Sequence, residues 1–169
     1  MNTGIYVVMG VAGSGKSLIG AALAHSLEVD FIEGDDFHSA RNIKRMASGT
    51  PLTDKDREAW LRAIAKRIQQ AKKTGTGLVV ACSALKRSYR DVLRSAAPDV
   101  RFIFLNGPRE LIAQRLANRG GHFMPPTLLD SQFAALEEPS PDENAWVCDI
   151  TKSPEELIAD IAARITPPE

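Results

Sequence analysis

Gly10-Val11-Ala12-Gly13-Ser14-Gly15-Lys16-Ser17 constrains this chain more than any other stretch. Its spacing is G-x-x-x-x-G-K-[ST]. The apolar, β-rich run Ile5-Tyr6-Val7-Val8-Met9 precedes it and reads as a buried strand. Ile19, Leu23 and Leu27 follow at helical spacing, so Ser17 to Leu27 reads as a helix. Strand, glycine loop and helix in this order make a phosphate-binding loop. The glycines let the backbone bend around an anion with its N–H groups inward, and the helix N-terminus adds a partial positive charge. Lys16 reaches the β- and γ-phosphates, and the Ser17 hydroxyl is placed to ligate Mg²⁺. Gly10, Val11, Ala12, Gly13, Ser14, Gly15, Lys16 and Ser17 are therefore the candidate nucleotide contacts. The loop specifies a nucleoside triphosphate and leaves the phosphate acceptor open.

A chain of 169 residues favours one domain with a real core. Lys plus Arg and Asp plus Glu number 21 each, which gives no sign of a general nucleic-acid or membrane surface. Phosphate work then falls to local basic groups. Cys82 and Cys148 each sit in an apolar run and read as buried free thiols, without metal-ligand spacing. No signal peptide opens the chain and no apolar run nears a membrane span, so a cytoplasmic protein is expected.

Further strands are expected at Val29–Ile32, Leu78–Cys82, Arg101–Leu105 and Ala145–Ile150. Helices alternate with them. One runs from Arg41 to Ser48 and is stopped by Gly49. The next is capped by Thr53, carries Trp60, Leu61, Ile64 and Ile68 on one face, and ends at Lys72-Lys73-Thr74-Gly75. Tyr89, Val92 and Leu93 mark a helix after Lys86; others span Glu110–Asn118 and Leu128–Glu137. Ser153-Pro154-Glu155-Glu156 opens the last one. Five strands alternating with helices predict an α/β fold with a parallel sheet, whose ligands bind beyond the carboxyl ends of the strands.

The loops at those ends sort by chemistry. Asp35 and Asp36 follow the second strand; a carboxylate there could take the proton of an acceptor hydroxyl or help hold Mg²⁺, or simply start a helix. Arg57 lies in the first turn of a helix, where a cation is unfavourable. It answers to an anionic substrate or is an ordinary exposed arginine. Arg115 and Arg119 share a helix face beside Gly120-Gly121-His122-Phe123-Met124-Pro125-Pro126. They either stabilise the helix C-terminus or belong to a mobile lid, about residues 119–127, that closes on the transferring phosphate. His38 and His122, each beside a phenylalanine, fit packing or hydrogen bonding better than proton transfer.

Gly34-Asp35-Asp36-Phe37-His38, Asp56-Arg57, Cys82-Ser83-Ala84-Leu85-Lys86, Tyr89-Arg90-Asp91, His122-Phe123-Met124 and Ser131-Gln132-Phe133, together with the phosphate loop, resemble the gluconate kinase family. That family is similar to shikimate kinase among the small P-loop kinases, and the resemblance runs from residue 5 to about residue 150. It implies a P-loop NTPase three-layer sandwich of adenylate-kinase type, with a five-stranded parallel sheet ordered 2-3-1-4-5 and a helical lid. It implies ATP with Mg²⁺ and D-gluconate as substrate, and a homodimer. Carried over, Asp35 holds the acceptor hydroxyl, Arg57 binds the substrate carboxylate, Arg119 is a lid arginine and Arg115 packs near adenine. Asp35, His38, Arg57 and Lys86 form the substrate set, Lys16, Asp35 and Arg119 the catalytic set, and Ser17 and Asp35 the metal set. Glu33 stands where these kinases usually have Asp, and Ser39 where they have Pro. The competing readings are a kinase of this fold acting on shikimate, a nucleoside monophosphate or another sugar acid, and a non-enzymatic nucleotide switch.

Overall fold

The computed structural model describes residues 2–118 and 126–165. Five parallel strands, β1 (Ile5–Met9), β2 (Asp30–Glu33), β3 (Leu78–Ala81), β4 (Arg101–Asn106) and β5 (Ala145–Asp149), form one sheet in the order β2-β3-β1-β4-β5. The helices are α1 (Lys16–Leu27), α2 (Ala40–Ala47), α3 (Asp54–Thr74), α4 (Arg87–Ala96), α5 (Arg109–Ala117), α6 (Pro126–Ala135) and α7 (Pro154–Ile165).

Alternation along the strands divides the core into two halves. Ile5, Val7 and Met9 of β1 pack with Trp60, Leu61, Ile64 and Ile68 of α3 and with Tyr89 and Leu93 of α4. Tyr6 and Val8 face the other way, towards Ile19 and Leu23 of α1, Ile112 of α5, Leu129 of α6, and Leu157 and Ile161 of α7. Every residue of β1 and β3 is buried, because helices cover both faces. The result is the three-layer α/β sandwich, and the strand order is the one the family resemblance implied.

Helix ends follow local chemistry. Thr53 and Asp56 form a reciprocal capping box at the start of α3, with N–H to side-chain oxygen distances of 3.1 and 2.9 Å. Ser153 and Glu156 do the same for α7. The second strand starts one residue later than expected. Val29 donates its N–H to the Ala24 carbonyl at 3.0 Å, so it belongs to the turn that closes α1. The strand also ends one residue later, at Glu33, which pairs in register with Ala81.

Three loops lie at the carboxyl ends of β1, β2 and β3. The phosphate loop follows β1, a 3₁₀ turn over Gly34–Phe37 follows β2, and Ser83–Lys86 follows β3. Gly10 N–H donates to the Ser83 carbonyl at 3.2 Å and joins two of them. The third is held at Gly34, whose carbonyl accepts from the Trp60 indole N–H at 2.8 Å. A side chain at Gly34 would collide with the Ala81 carbonyl oxygen, so glycine is required by close approach.

Behind these loops lies a buried ion pair. Arg90 and Glu143 are 0% and 1% exposed, and the Arg90 guanidinium donates to Glu143 at 2.7 and 3.1 Å. It also donates to the carbonyls of Ala84 and Leu85 at 2.8 and 3.2 Å, fixing a loop in which Ala84 has a φ of 45°. Burial alone would raise the Glu143 carboxyl, but the Arg90 guanidinium and the Ser140 N–H bring it down to about 2. Because the folded-state value is depressed, its stabilisation is present above the ordinary carboxyl range. It is lost as pH falls from about 4.5 towards 2. Glu143→Ala leaves Arg90 charged and unpaired in the core, at a cost of about 3–5 kcal/mol. A melting temperature lower by about 10 °C is expected in a calorimetric scan at neutral pH, with the gap between variant and parent closing at pH 2–3.

Candidate active site

The phosphate loop is shaped by its glycines: Gly10, Gly13 and Gly15 have φ of 147°, 81° and 100°. Gly13 sits hard against Leu116 and Ile112 of α5. Lys16, the first residue of α1, donates its Nζ to the Val11 carbonyl at 3.0 Å, which folds the ammonium back over the loop. The Ser14 hydroxyl is buried and has no hydrogen-bond partner among the described residues. A buried orphan hydroxyl in a glycine-rich loop at a helix N-terminus fits a phosphate oxygen. Beside the loop is a pocket of about 310 Å³ lined by Gly13, Gly15, Leu18, Arg115, Lys152 and Pro154, of a size for a nucleoside. Arg115 is pinned in its wall by a 2.7 Å bond to the Ile150 carbonyl.

The Ser17 hydroxyl donates a hydrogen bond to the Glu33 carboxylate. The acid brought to Ser17 is thus Glu33 at the end of β2, two residues before Asp35. Sequence reading noted Glu33 as a departure from the family pattern and gave it no role. Its place beside Ser17 follows from the pairing of β2 with β3, in which Glu33 stands opposite Ala81. Among the described residues no three His, Cys, Asp or Glu side chains cluster as a metal cage. A hydroxyl and one carboxylate instead suit an ion such as Mg²⁺, which keeps waters and takes its other ligands from phosphates.

Asp35 is exposed on the 3₁₀ turn next to the anchored Gly34. Its charge is felt on two sides. Burial pushes the Cys82 thiol up to about 12; the neighbouring Asp35 and Glu33 carboxylates push the same way and Lys16 opposes them. Lys16, Glu33 and Asp35 are thereby gathered around the end of β3. Burial also lowers His38, with Asp35 opposing and Arg57 reinforcing, so the imidazole is neutral at physiological pH. His38 stacks on Trp60 with ring centroids 4.1 Å apart and its Nδ1 lies 3.4 Å from the Asn42 amide.

Arg57 donates to the Leu52 carbonyl at 2.7 Å and to the Tyr89 hydroxyl at 3.1 Å, with its guanidinium 5.4 Å from the Tyr89 ring centre. Lys86 pairs with Asp54 at 3.0 Å and lies 5.7 Å from the same ring. The Tyr89 hydroxyl donates to Asp54. That bond and Lys86 hold the Asp54 carboxyl below its ordinary value. Arg57 and Lys86 therefore share one aromatic platform, Tyr89, which the sequence marked as an inward helix residue and not as part of a site. Arg119, His122 and the lid expected at residues 119–127 lie outside the described residues, as do the side chains at 126 and 127.

The AAA domain family model matches residues 5–139. The thermosensitive gluconokinase of Escherichia coli (strain K12) is 50% identical over 143 residues, covering 82% of this chain and 74% of that protein. The chain belongs to the gluconokinase family. A crystal structure of a sugar kinase from Janibacter sp. HTCC2649, unliganded, is 47% identical to this gluconokinase-family chain, with a TM-score of 0.91 over 96% of this chain and 94% of that one. A gluconokinase from Sinorhizobium meliloti 1021 is 43% identical, with a TM-score of 0.85 over 96% and 95%. Membership in the gluconokinase family makes the chain a kinase enzyme, a phosphotransferase, and excludes the nucleotide switch. No helix of this family member is long and apolar enough, among the described residues, to cross a membrane.

Proposed function

We propose that this chain transfers the γ-phosphoryl group of ATP to the sixth hydroxyl of D-gluconate, giving ADP and 6-phospho-D-gluconate. The observation that carries the reading is that the phosphate loop and the Asp35 turn leave the ends of β1 and β2, the two strands that flank β3, in a chain 50% identical to a gluconokinase. Phosphoryl transfer needs positioning and charge stabilisation more than covalent chemistry. The loop amides and Lys16 hold the triphosphate, and the pocket beside Arg115 takes the base. Asp35 accepts the proton of the attacking hydroxyl as the bond to phosphorus forms. Arg57 takes the gluconate carboxylate, a task suited to a planar guanidinium fork. Lys86 on the same platform binds the polyol chain, and His38 lines the acceptor side as a neutral hydrogen-bonding group. Ser17 and Glu33 would hold Mg²⁺, which would supply neutralisation of phosphate charge.

The same proposal includes a single kinase domain spanning the chain, a homodimer and a cytoplasmic location. Sedimentation equilibrium tests the dimer: a mass near twice 18.4 kDa is expected. The activity is tested by coupled ADP release with gluconate, idonate, shikimate and AMP as acceptors. Gluconate should exceed the others in kcat/KM; a greater value for shikimate or AMP, or no acceptor-dependent release at all, overturns the reading.

A further inference from the structure

Helix α6 touches both substrate loops. Gln132, on its inner side, accepts the Ala12 N–H of the phosphate loop through Oε1 at 2.7 Å. Just past the helix, the Glu137 N–H donates to the Leu85 carbonyl at 2.8 Å, and Glu137 Oε1 accepts the Arg87 N–H at 2.9 Å. Leu129 and Phe133 anchor the helix in the core half that contains α1, and Leu136 reaches both halves. We propose that Gln132 is a positioning residue for the phosphate loop: its side-chain carbonyl fixes the Ala12 amide and sets the shape of the loop before nucleotide arrives.

Three features support this. Ala12 lies between Gly10 and Gly13, both at positive φ, so the backbone around it is soft. Its N–H precedes α1 and belongs to no strand, so neither helix nor sheet supplies it a partner. The acceptor it has is a neutral amide. A carboxylate in the same place would accept the bond equally well but would stand beside the triphosphate and repel it. Glutamine gives the hydrogen bond without the charge.

The test uses the full chain with Gln132→Met, which keeps side-chain length and packing but removes the acceptor, and Gln132→Glu, which keeps the acceptor and adds charge. Amide exchange at Ala12 is read by NMR in the nucleotide-free protein. Affinity for a non-hydrolysable ATP analogue is read by calorimetry, and the KM for gluconate by steady-state kinetics. In Gln132→Met, Ala12 should exchange about tenfold faster and the analogue bind about tenfold more weakly, the size of one lost hydrogen bond. The gluconate KM should stay within about twofold. In Gln132→Glu, Ala12 protection should return to the parent level while analogue affinity stays weakened by about tenfold. Unchanged Ala12 exchange or unchanged analogue affinity in Gln132→Met overturns the assignment. So does an equal weakening of analogue and gluconate with a lowered melting temperature, the signature of loosened α6 packing. If Gln132→Met does not fold, Gln132→Glu decides: parent-like analogue affinity, or a failure to protect Ala12, overturns it. The exchange measurement needs neither acceptor nor turnover, so its failure is distinguishable from failure of the gluconate assignment.

Discussion

Lys16→Ala should reduce phosphoryl transfer by about 10²–10³-fold, the cost of removing one electrostatic contact to charge that develops in the transition state. The ammonium already sits over the loop, bonded to the Val11 carbonyl, so little rearrangement is needed for it to reach a β- or γ-phosphate oxygen. The fold should survive. Lys16 is the first residue of α1, and alanine is the best helix former. Circular dichroism should match the parent while kcat collapses and the analogue binds more weakly. Near-normal turnover by the folded variant would sink the assignment of the phosphate loop as the nucleotide site.

Asp35→Asn should lower kcat by about 10²-fold or more, the contribution of a positioned general base. Asparagine keeps the size and the hydrogen-bonding oxygen but takes no proton. ATP analogue affinity should be unchanged, since the loop that holds the phosphates is untouched. Asp36→Asn should be milder. The asymmetry rests on rigidity. Asp35 follows Gly34, whose carbonyl is tied to the Trp60 indole and whose Cα is wedged against Ala81. Its charge, and not that of Asp36, is the neighbouring carboxylate felt at His38. A catalytic carboxylate must be held within a fraction of an ångström to act on a reacting hydroxyl, and the anchored position meets that need. Parent-like turnover in Asp35→Asn with a dead Asp36→Asn reverses the two roles.

What could be read from sequence was what local rules decide. The phosphate loop needs its glycines, lysine and serine in one continuous stretch, and the strand and helix flanking it show their own periods. The α3 cap was legible because Thr53 and Asp56 satisfy each other within one turn. The residues whose roles could not be read all depend on distant partners. Gln132 stands in the Ser131-Gln132-Phe133 block of the family resemblance, but its partner Ala12 is 120 residues away and no local pattern names it. Arg90 reads as one more charge on a basic helix until Glu143, 53 residues on, is folded against it. Glu33 meets Ser17 only once β2 is paired with β3, a long-range pairing that no local pattern fixes. Tyr89 was correctly expected to point inward, yet its hydroxyl end serves Arg57 and Asp54. A tyrosine has an apolar body and a polar tip, and helical spacing speaks for the body alone.

The layering of the fold has an evolutionary corollary. Arg57 and Asp54 lie on α3, and Tyr89 on α4, both against one face of the sheet, whereas Leu18 and Arg115, which line the pocket beside the phosphate loop, belong to α1 and α5 on the opposite face. Under the proposed assignment, mutational drift on the first surface would retune which acid is accepted while the second goes on recognising the same donor. The sheet forms a partition between two separately lined halves, joined by the Gly10–Ser83 bond and by α6, which reaches both loops. A scaffold divided in this way can change acceptors by altering one side alone, without having to reinvent the delivery of phosphate.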